Sequence, residues 1–311
     1  MKTIKISYPL NLSKSQLPET VAAIGFFDGI HIGHQQVIKT AVLEAKRRNM
    51  ESAVITFYPH PSVVLKKDAG KVQYITPLSE KEAILKDLYV DRLYIVTFNE
   101  ELSHLLPEQF IDHFIAGLNI KHLVAGFDYT YGHKGKGNMD VIEEHAKGRF
   151  THTTIGKLVL DKEKVSSTRI RECLKEGNIE QANLLLGRPL SLTGTVEKGY
   201  QRGRTIGYPT ANINVSDETL VPSLGIYAVK VYHQNRQYKG MASIGVNPTF
   251  REKHEKPSIE VNILDFDQDI YGEQLEVEFI RFVRPELKFE NAEALIKQIE
   301  DDEVNIRKWF G

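Results

Sequence analysis

The first half of the chain alternates between short apolar runs and segments whose apolar residues recur every three to four positions. Such runs predict buried strands, and the recurrence predicts amphipathic helices. One helical segment repeats apolar residues at Val37, Ile38, Ala41, Val42 and Ala45. The predicted strands cover residues 21–25, 53–57, 93–98, 122–126 and 151–155. This alternation predicts βαβ units and an α/β doubly wound parallel sheet.

Local signals place several helix ends. A capping box formed by Ser79 and Glu82 predicts one helix start. Pro107 predicts a first helical turn at another. Two short helices then follow, over about residues 168–177 and 178–187.

After Arg188 the pattern changes, and short segments in which apolar and polar residues alternate dominate. The predicted strands cover residues 192–197, 226–233, 238–246, 258–264 and 275–283. Their alternation and regular spacing predict a small antiparallel β-barrel. A C-terminal helix is predicted over residues 291–309, with a core face made of Ala294, Leu295, Ile299 and Trp309. The 311 residues therefore divide into a domain over residues 1–186 and a domain over residues 187–311.

Composition narrows the class of protein. The net charge of −1 argues against a dedicated nucleic-acid binder, although a local field still serves small anionic ligands. The single cysteine, Cys173, excludes an intramolecular disulfide framework and fits a reducing compartment, and we expect it to pack within a helix. No apolar run reaches membrane-spanning length, and the first residues lack the apolar core of a signal peptide. We expect a cytoplasmic protein with no membrane partner, and the oligomeric state stays open.

The turn between the first predicted strand and the first helix contains the most informative motif. Residues 25–34 read Gly-Phe-Phe-Asp-Gly-Ile-His-Ile-Gly-His. A helix N-terminus offers unpaired N–H groups and a positive dipole end to a phosphate. His31 and His34 are three residues apart, so both side chains are able to meet one anion. The alternative is a capping turn with two surface histidines.

Other unusual segments also follow predicted strands, where ligands bind in open α/β sheets. One is residues 58–61, Tyr-Pro-His-Pro. Residues 127–138 mix glycines with two lysines, as a polyphosphate site does, but a solvated loop has the same composition. Residues 166–171 read Ser-Ser-Thr-Arg-Ile-Arg and enter a helix. The hydroxyls suit caps, whereas cations in a first turn oppose the helix dipole unless an anion binds there.

The second half has its own cluster of polar residues. Residues 194–212 place four glycines among basic side chains, a composition able to wrap phosphates with backbone N–H groups. Thr210 and Asn212 follow and offer neutral oxygens to Mg²⁺. Glu260 alternates with apolar residues on a predicted strand. It is a solvated outer residue unless its face lines a ligand cavity, and the glycine loop alone would suit a hairpin.

Together these segments resemble the bifunctional riboflavin kinase/FAD synthetase family of prokaryotes over nearly the whole chain. The first half resembles its FMN adenylyltransferase module, through residues 25–34, 58–61, 126–138 and 166–171. The second half resembles its riboflavin kinase module, through residues 194–212, 243–250, 260 and 265–272. The resemblance implies a nucleotidyltransferase-type first domain. It also implies that the chain phosphorylates riboflavin to FMN with ATP, then transfers AMP from ATP to FMN, giving FAD and pyrophosphate.

The resemblance also implies residue roles. Glu260 would be the base toward the ribityl hydroxyl, and His31, His34 and Arg171 would serve adenylyl transfer. Thr210 and Asn212 would hold the Mg²⁺ that accompanies ATP, and Asp128 and Asn247 would contact the flavin. The implied ATP and phosphate contacts are Gly25, Asp28, Gly33, Asn138, Ser166, Ser167, Thr168, Gly199, Gly203, Arg204 and Gly207.

Two positions depart from the family pattern. The first signature often has Asn where this chain has Phe26, so a polar side chain is absent there. The residue two after the glutamate is often His, and here it is Asn262. The second departure leaves the role of that position open, but not that of Glu260.

Two other functions compete with this interpretation. Another adenylyl- or cytidylyltransferase, such as the pantetheine-phosphate type, would explain the first half but leave residues 209–212 and Glu260 unused. A flavin-sensing regulator on a degenerate enzyme scaffold is the non-enzyme alternative. The intact His34, Arg171 and Glu260 speak against it.

Overall fold

The computed structural model describes residues 1–65, 72–199, 202–246 and 257–311. Asn247, a predicted flavin contact, lies outside the described residues. The chain divides into two compact units, Met1–Ser166 and Ser167–Gly311. The predicted domain boundary after residue 186 lies inside the second unit, and a domain division at that residue stays a prediction.

The first unit is built on a six-stranded sheet in the order β1-β4-β3-β2-β5-β8, with every neighbouring pair parallel. Its strands are β1 Lys2–Ile6, β2 Thr20–Ile24, β3 Glu51–Tyr58, β4 Arg92–Thr97, β5 Ile120–Gly126, β6 Thr130–Tyr131, β7 Gly137–Asn138, β8 Thr151–Ile155, β9 Val159–Leu160 and β10 Glu163–Lys164. Its helices are α1 Ile32–Arg47, α2 Pro61–Leu65, α3 Leu78–Asp87, α4 Glu100–Ser103, α5 Pro107–Ile111 and α6 Ile142–Ala146. A π-helical turn, Asp112–Ala116, follows α5.

Helices cover both faces of this sheet. The strand β2 shows this, since its successive residues pack into different hydrophobic cores. Val21 and Ala23 pack with the apolar face of α1 and with Leu85 of α3. Ala22 and Ile24 pack with the segment that contains α5 and the π-helical turn. All five residues of β2 are buried. The predicted α/β doubly wound parallel sheet is confirmed.

The second unit contains a closed six-stranded barrel in the order β11-β12-β15-β14-β13-β16, with antiparallel neighbours throughout. Its strands are β11 Leu190–Glu197, β12 Ala211–Val215, β13 Gly225–His233, β14 Arg236–Gly245, β15 Ser258–Ile263 and β16 Gln274–Arg284. Its helices are α7 Ser167–Glu176, α8 Ile179–Leu186, α9 Arg202–Thr205 and α10 Ala292–Phe310. The predicted barrel with a C-terminal helix is confirmed. Cys173 is buried in α7, as expected, and burial raises the pKa of its thiol.

The prediction of a capping box formed by Ser79 and Glu82 is wrong. Helix α3 begins at Leu78 with Pro77 at the N-cap position and no side-chain cap, so Ser79 already lies inside the first turn. Glu82 instead accepts a hydrogen bond from the Thr3 hydroxyl at 3.1 Å. The Pro107 prediction is confirmed, since that residue opens α5.

The predicted core face of α10 is wrong in part. Ala294 is exposed, and the Trp309 indole lies at the surface, where the Arg281 guanidinium stacks 4.6 Å from its ring centre. The buried positions are Ile306 and Asp302. A carboxylate is buried here because Arg284 Nε donates to Asp302 Oδ2 at 2.9 Å, which a search for apolar periodicity does not detect. Among the described residues, no helix combines the length and apolar character needed to cross a membrane.

Candidate functional sites

The turn from β2 into α1 is tight and strained. Phe27, Gly29 and Ile30 have φ angles of 53°, 84° and 39°. The left-handed region suits glycine, but it is costly for a β-branched residue such as Ile30. Strained backbone of this kind persists only where the surrounding structure holds it, and it clusters at functional sites. The turn ends at His31, the N-cap residue of α1.

His31 and His34 come together at this helix start. His31 Nδ1 accepts a hydrogen bond from the His34 backbone N–H at 3.1 Å, so a neutral His31 carries its proton on Nε2. The two imidazoles stack, with ring centres 3.5 Å apart. A Cβ at Gly33 would lie 3.2 Å from atoms of the His31 ring, so glycine leaves room for the stack.

The His34 imidazole is partly buried, and its pKa is lowered. Burial, and then the charges of His31, Lys81 and Lys164, hold its pKa well below the usual 6.5. Its Nδ1 is buried and has no hydrogen-bond partner among the described residues. A buried polar atom without a partner calls for a water or a ligand to satisfy it. The helix start therefore has the properties of a binding site.

Two lysines near His34 were not among the predicted site residues. Lys81 lies on α3, and Lys164 ends the short strand β10. Lys164 Nζ donates to Asp128 Oδ2 and lies 4.9 Å from the centre of the Phe127 ring. In the sequence both are lysines of ordinary polar segments, so no motif marks them.

The remaining candidates of the first unit have structural partners. Asp28 is buried, and its Oδ1 accepts from the Thr76 backbone N–H at 3.2 Å. Asn138 Oδ1 accepts from the N–H groups of Asp140 and Val141, which fixes the turn after β7. The Gly25 N–H donates to the Ile55 carbonyl at 3.1 Å, tying the start of the turn to β3.

The second phosphate-type signature spans the point in the sequence where the first unit ends and the second begins. Ser166 is the last residue of the first unit. Ser167, Thr168 and Arg171 lie in the first half of α7, the opening helix of the second unit.

The barrel brings the other predicted group together. The Thr210 hydroxyl donates to Glu260 Oε2 at 3.1 Å. Asn212 on β12 lies directly opposite Glu260 on β15 in the strand register. Residues fifty positions apart in sequence thus present a hydroxyl, an amide and a carboxylate at one place.

Glycines of the loop before β12 allow close approach of the backbone. A Cβ at Gly199 would lie 2.2 Å from Asn212 Nδ2, and one at Gly203 would lie 2.2 Å from the Tyr208 carbonyl oxygen. Gly207 has a φ of 86°, which favours glycine. Gly199 therefore packs directly against the Asn212 side chain of β12.

A cavity of about 360 Å³ opens beside Thr210. Its lining includes Val196, Arg204, Pro209, Thr210, Ala211, Val261, Ile263 and residues 266–271. A mostly apolar cavity of this size with a few polar groups is typical of small-molecule sites. The Asn262 amide donates to the Pro209 carbonyl at 2.8 Å, so this position holds the segment that carries Thr210.

The chemistry of the barrel donors favours a hard cation over zinc. Thr210, Asn212 and Glu260 supply oxygen ligands, the type that Mg²⁺ prefers. Across the described ranges, no three His, Cys, Asp or Glu side chains converge as a metal site. The oxygen donors of Thr210, Asn212 and Glu260 would suit a magnesium ion.

Comparisons with known proteins assign a family to each half of the chain. A family model described as FAD synthetase matches residues 13–169, and one described as riboflavin kinase matches residues 186–310. The bifunctional riboflavin kinase/FMN adenylyltransferases of Listeria monocytogenes and Bacillus subtilis are 47% and 45% identical to this chain, each match covering 100% of this chain and 98% of the relative. The chain belongs to the bifunctional riboflavin kinase/FMN adenylyltransferase family. The resemblance stated from the sequence is confirmed.

A solved structure shares the fold. It is titled as a macrolide-efflux protein from Streptococcus pneumoniae, and it aligns with a TM-score of 0.90 and 36% identity over 99% of this chain and 100% of its own. That title describes the other protein, and the likeness here concerns the fold. The His31–His34 site lies within the FAD synthetase match, and Thr210, Asn212 and Glu260 lie within the riboflavin kinase match.

Proposed function

We propose that the chain phosphorylates riboflavin to FMN at the Thr210–Glu260 site and transfers AMP from ATP to FMN at the His31–His34 site. One observation carries the proposal: each region matched by a family model holds its own group of functional side chains. Riboflavin, FMN, FAD and ATP are then the ligands of this transferase. A cytoplasmic location stays a prediction from the sequence.

Adenylyl transfer needs no strong base. The FMN phosphate is already ionised, so its oxygen attacks the α-phosphorus of ATP directly. A P–O bond forms there, and the bond to the leaving pyrophosphate breaks. The site must hold two anions together and offset the charge that develops. The neutral His34 imidazole and the start of α1 supply hydrogen-bond donors, and Arg171 is the proposed cation.

Riboflavin phosphorylation has a different requirement. The ribityl hydroxyl must lose its proton while its oxygen attacks the γ-phosphorus and ADP leaves. Glu260 is the proposed proton acceptor, because a carboxylate is the strongest base among the converging groups. The hydrogen bond from Thr210 holds that carboxylate in place.

Magnesium fits the oxygen donors of the kinase site. Thr210 and Asn212 would hold it through a hydroxyl and an amide oxygen. When bound, the ion would neutralise charge on the transferring phosphates. Gly199, Gly203, Arg204 and Gly207 are the proposed contacts of this ATP.

The other proposed contacts belong to the adenylyltransferase. They are Gly25, Asp28, Gly33, Asn138, Ser166, Ser167 and Thr168 for ATP, and Asp128 for the flavin. The backbone donors that already bind Asp28 and Asn138 suggest that these two act by fixing their turns.

A paired assay tests the assignment. His34→Ala should abolish FAD formation from FMN, since losing one stabilising donor costs about 10²–10³ in rate, while FMN formation persists. Glu260→Gln should slow FMN formation by about 10²–10⁴ and leave FAD formation from supplied FMN intact. His104→Ala and Glu276→Gln, at exposed positions of the same units, serve as matched controls. Parent-like FAD synthesis by His34→Ala, or parent-like FMN synthesis by Glu260→Gln, would show that site to be misassigned.

A further inference from the structure

A buried lysine reaches the strained turn from a different element. Lys81 of α3 is only 4% exposed, which is rare for this residue type. Its Nζ donates to the Phe26 carbonyl at 2.8 Å and to Thr56 Oγ1 at 3.3 Å. The Thr56 hydroxyl donates to the same carbonyl at 2.9 Å. Two donors from α3 and β3 therefore converge on one backbone oxygen.

That oxygen lies immediately before the strained residues. Phe26 precedes Phe27, Gly29 and Ile30, whose φ angles are positive. The Phe26 ring also faces the ammonium, with Nζ 4.8 Å from the ring centre, a favourable cation–π arrangement. Lys81 thus contacts Phe26 through both its carbonyl and its side chain.

The far end of the turn is fixed separately. The Gln35 amide donates to the Ile30 carbonyl at 3.1 Å, and Asp28 Oδ1 accepts from the Thr76 N–H. At the Phe26 end, Lys81 and Thr56 hold the carbonyl oxygen, beside the bond from the Gly25 N–H to the Ile55 carbonyl. His31, the N-cap residue of α1, lies five residues later, so we expect a shift of the Phe26 backbone to move the His31 and His34 rings.

A buried ammonium is an expensive way to fill a core position. A methionine or leucine would fill similar volume without the cost of desolvating a charge. Burial lowers the pKa of Lys81 to about 8, with the Asp28 carboxylate opposing that shift, so the ammonium remains mostly protonated at neutral pH. Packing alone does not explain a lysine at this position. The hydrogen bond from its ammonium group to the start of the strained turn does explain it.

We propose that Lys81 is a positioning residue for adenylyl transfer, holding the Phe26 carbonyl so that the turn presents His31 and His34 to the reacting phosphates. The proposal rests on the assignment of adenylyl transfer to those histidines. Lys81 itself need not touch the substrates. It acts through the backbone of residues 26–31.

The test compares Lys81→Met with Lys81→Arg in the full chain. Lys86→Met, at an exposed position of the same helix, is the matched control. The kcat and the KM values for ATP and FMN are measured separately in FAD formation. Riboflavin phosphorylation and thermal unfolding are measured on the same preparations. His34→Ala is assayed alongside.

Lys81→Met should lower kcat for FAD formation by about 10²-fold, the cost of a misplacement of about 1 Å, with KM changed less. Lys81→Arg, which keeps the charge and the donors, should recover most of that loss. FMN formation and the control variant should match the parent. A folded Lys81→Met with parent kcat, or a loss that appears only in KM, would overturn the proposal.

Two further outcomes are separable. If Lys81→Met does not fold, Lys81→Gln decides, since its amide suits a partly polar buried position but is too short to reach the Phe26 carbonyl as the Lys81 ammonium does. A roughly tenfold lower kcat supports the proposal, and an unchanged kcat overturns it. If His34→Ala makes FAD at the parent rate, the proposed function itself has failed. If only Lys81→Met is active, the positioning role alone has failed.

Discussion

Replacing Gly199 with alanine should strongly slow FMN formation and have little effect on the free energy of unfolding. The added Cβ would lie 2.2 Å from Asn212 Nδ2 and 2.6 Å from its Oδ1, where ordinary contacts begin at 3.4 Å. The Asn212 amide must therefore retreat by about 1 Å or more. An asparagine side chain moves without much strain, so the free energy of unfolding should change by about 1 kcal/mol or less.

The cost should appear in the reaction. Asn212 is the proposed magnesium ligand opposite Glu260, and a displacement of about 1 Å at a reacting centre costs about 10²-fold in rate. We therefore expect FMN formation by Gly199→Ala to fall by about 10²-fold. FAD formation from supplied FMN should equal the parent.

A double-mutant cycle with Asn212→Ala separates displacement from other effects. If the methyl group acts by moving Asn212, the variant carrying both changes should be no slower than Asn212→Ala alone. Fully additive losses would mean that Gly199 acts independently of Asn212. A Gly199→Ala variant that makes FMN at the parent rate would refute the reasoning from close approach.

Two predictions concern titration and domain limits. The pKa of His34 should rise toward 6.5 in Lys81→Met, because removing a nearby positive charge favours the imidazolium. An NMR pH titration of the His34 ring measures this pKa, and an unchanged value would contradict the prediction. Because the pKa is lower in the fold than in the unfolded chain, the stability that the neutral ring contributes is complete above pH 6.5 and is lost as pH falls toward the folded value. A fragment of residues 188–311 should still make FMN but melt about 10 °C or more below a fragment of residues 167–311, since it lacks the fully buried Ile179, Ala182 and Leu185 of α8. Equal melting temperatures in a thermal scan would show that α7 and α8 add no stability to the barrel.

The sheet and the barrel were predictable because each repeats a simple pattern. Strands β2 to β5 carry apolar residues on both faces, whereas buried and less buried residues alternate along most barrel strands. Besides the two-residue strands, β1 and β12 were not predicted. The edge strand β1 is short and mostly polar, and pairs on one side only, with β4. Strand β12 begins next to Thr210 and contains Asn212. These polar residues of the candidate site interrupt the apolar pattern that would have predicted a strand.

The candidate sites were predictable where glycines and oxygen donors are close in sequence. The turn at residues 25–34 and the segment at residues 199–212 are of this kind. The supporting residues were not predictable, because their partners are backbone atoms far away in sequence. Lys81 binds the carbonyl of Phe26, and Asn262 binds the carbonyl of Pro209. A carbonyl leaves no mark in the residue type that carries it.

Phe26 is a residue whose role depends on its backbone carbonyl and cannot be predicted from its side chain alone. Against the family pattern that the resemblance implies, the phenylalanine at position 26 suggests that a polar contact has been lost. In the structure the contact is made by the main chain, since the Phe26 carbonyl accepts from both Lys81 and Thr56. The ring then adds a second contact to the same ammonium, which an asparagine could not make. The aromatic residue therefore strengthens the hold of Lys81 on the turn, and exchanging Phe26 for asparagine would weaken that hold while leaving the carbonyl in place.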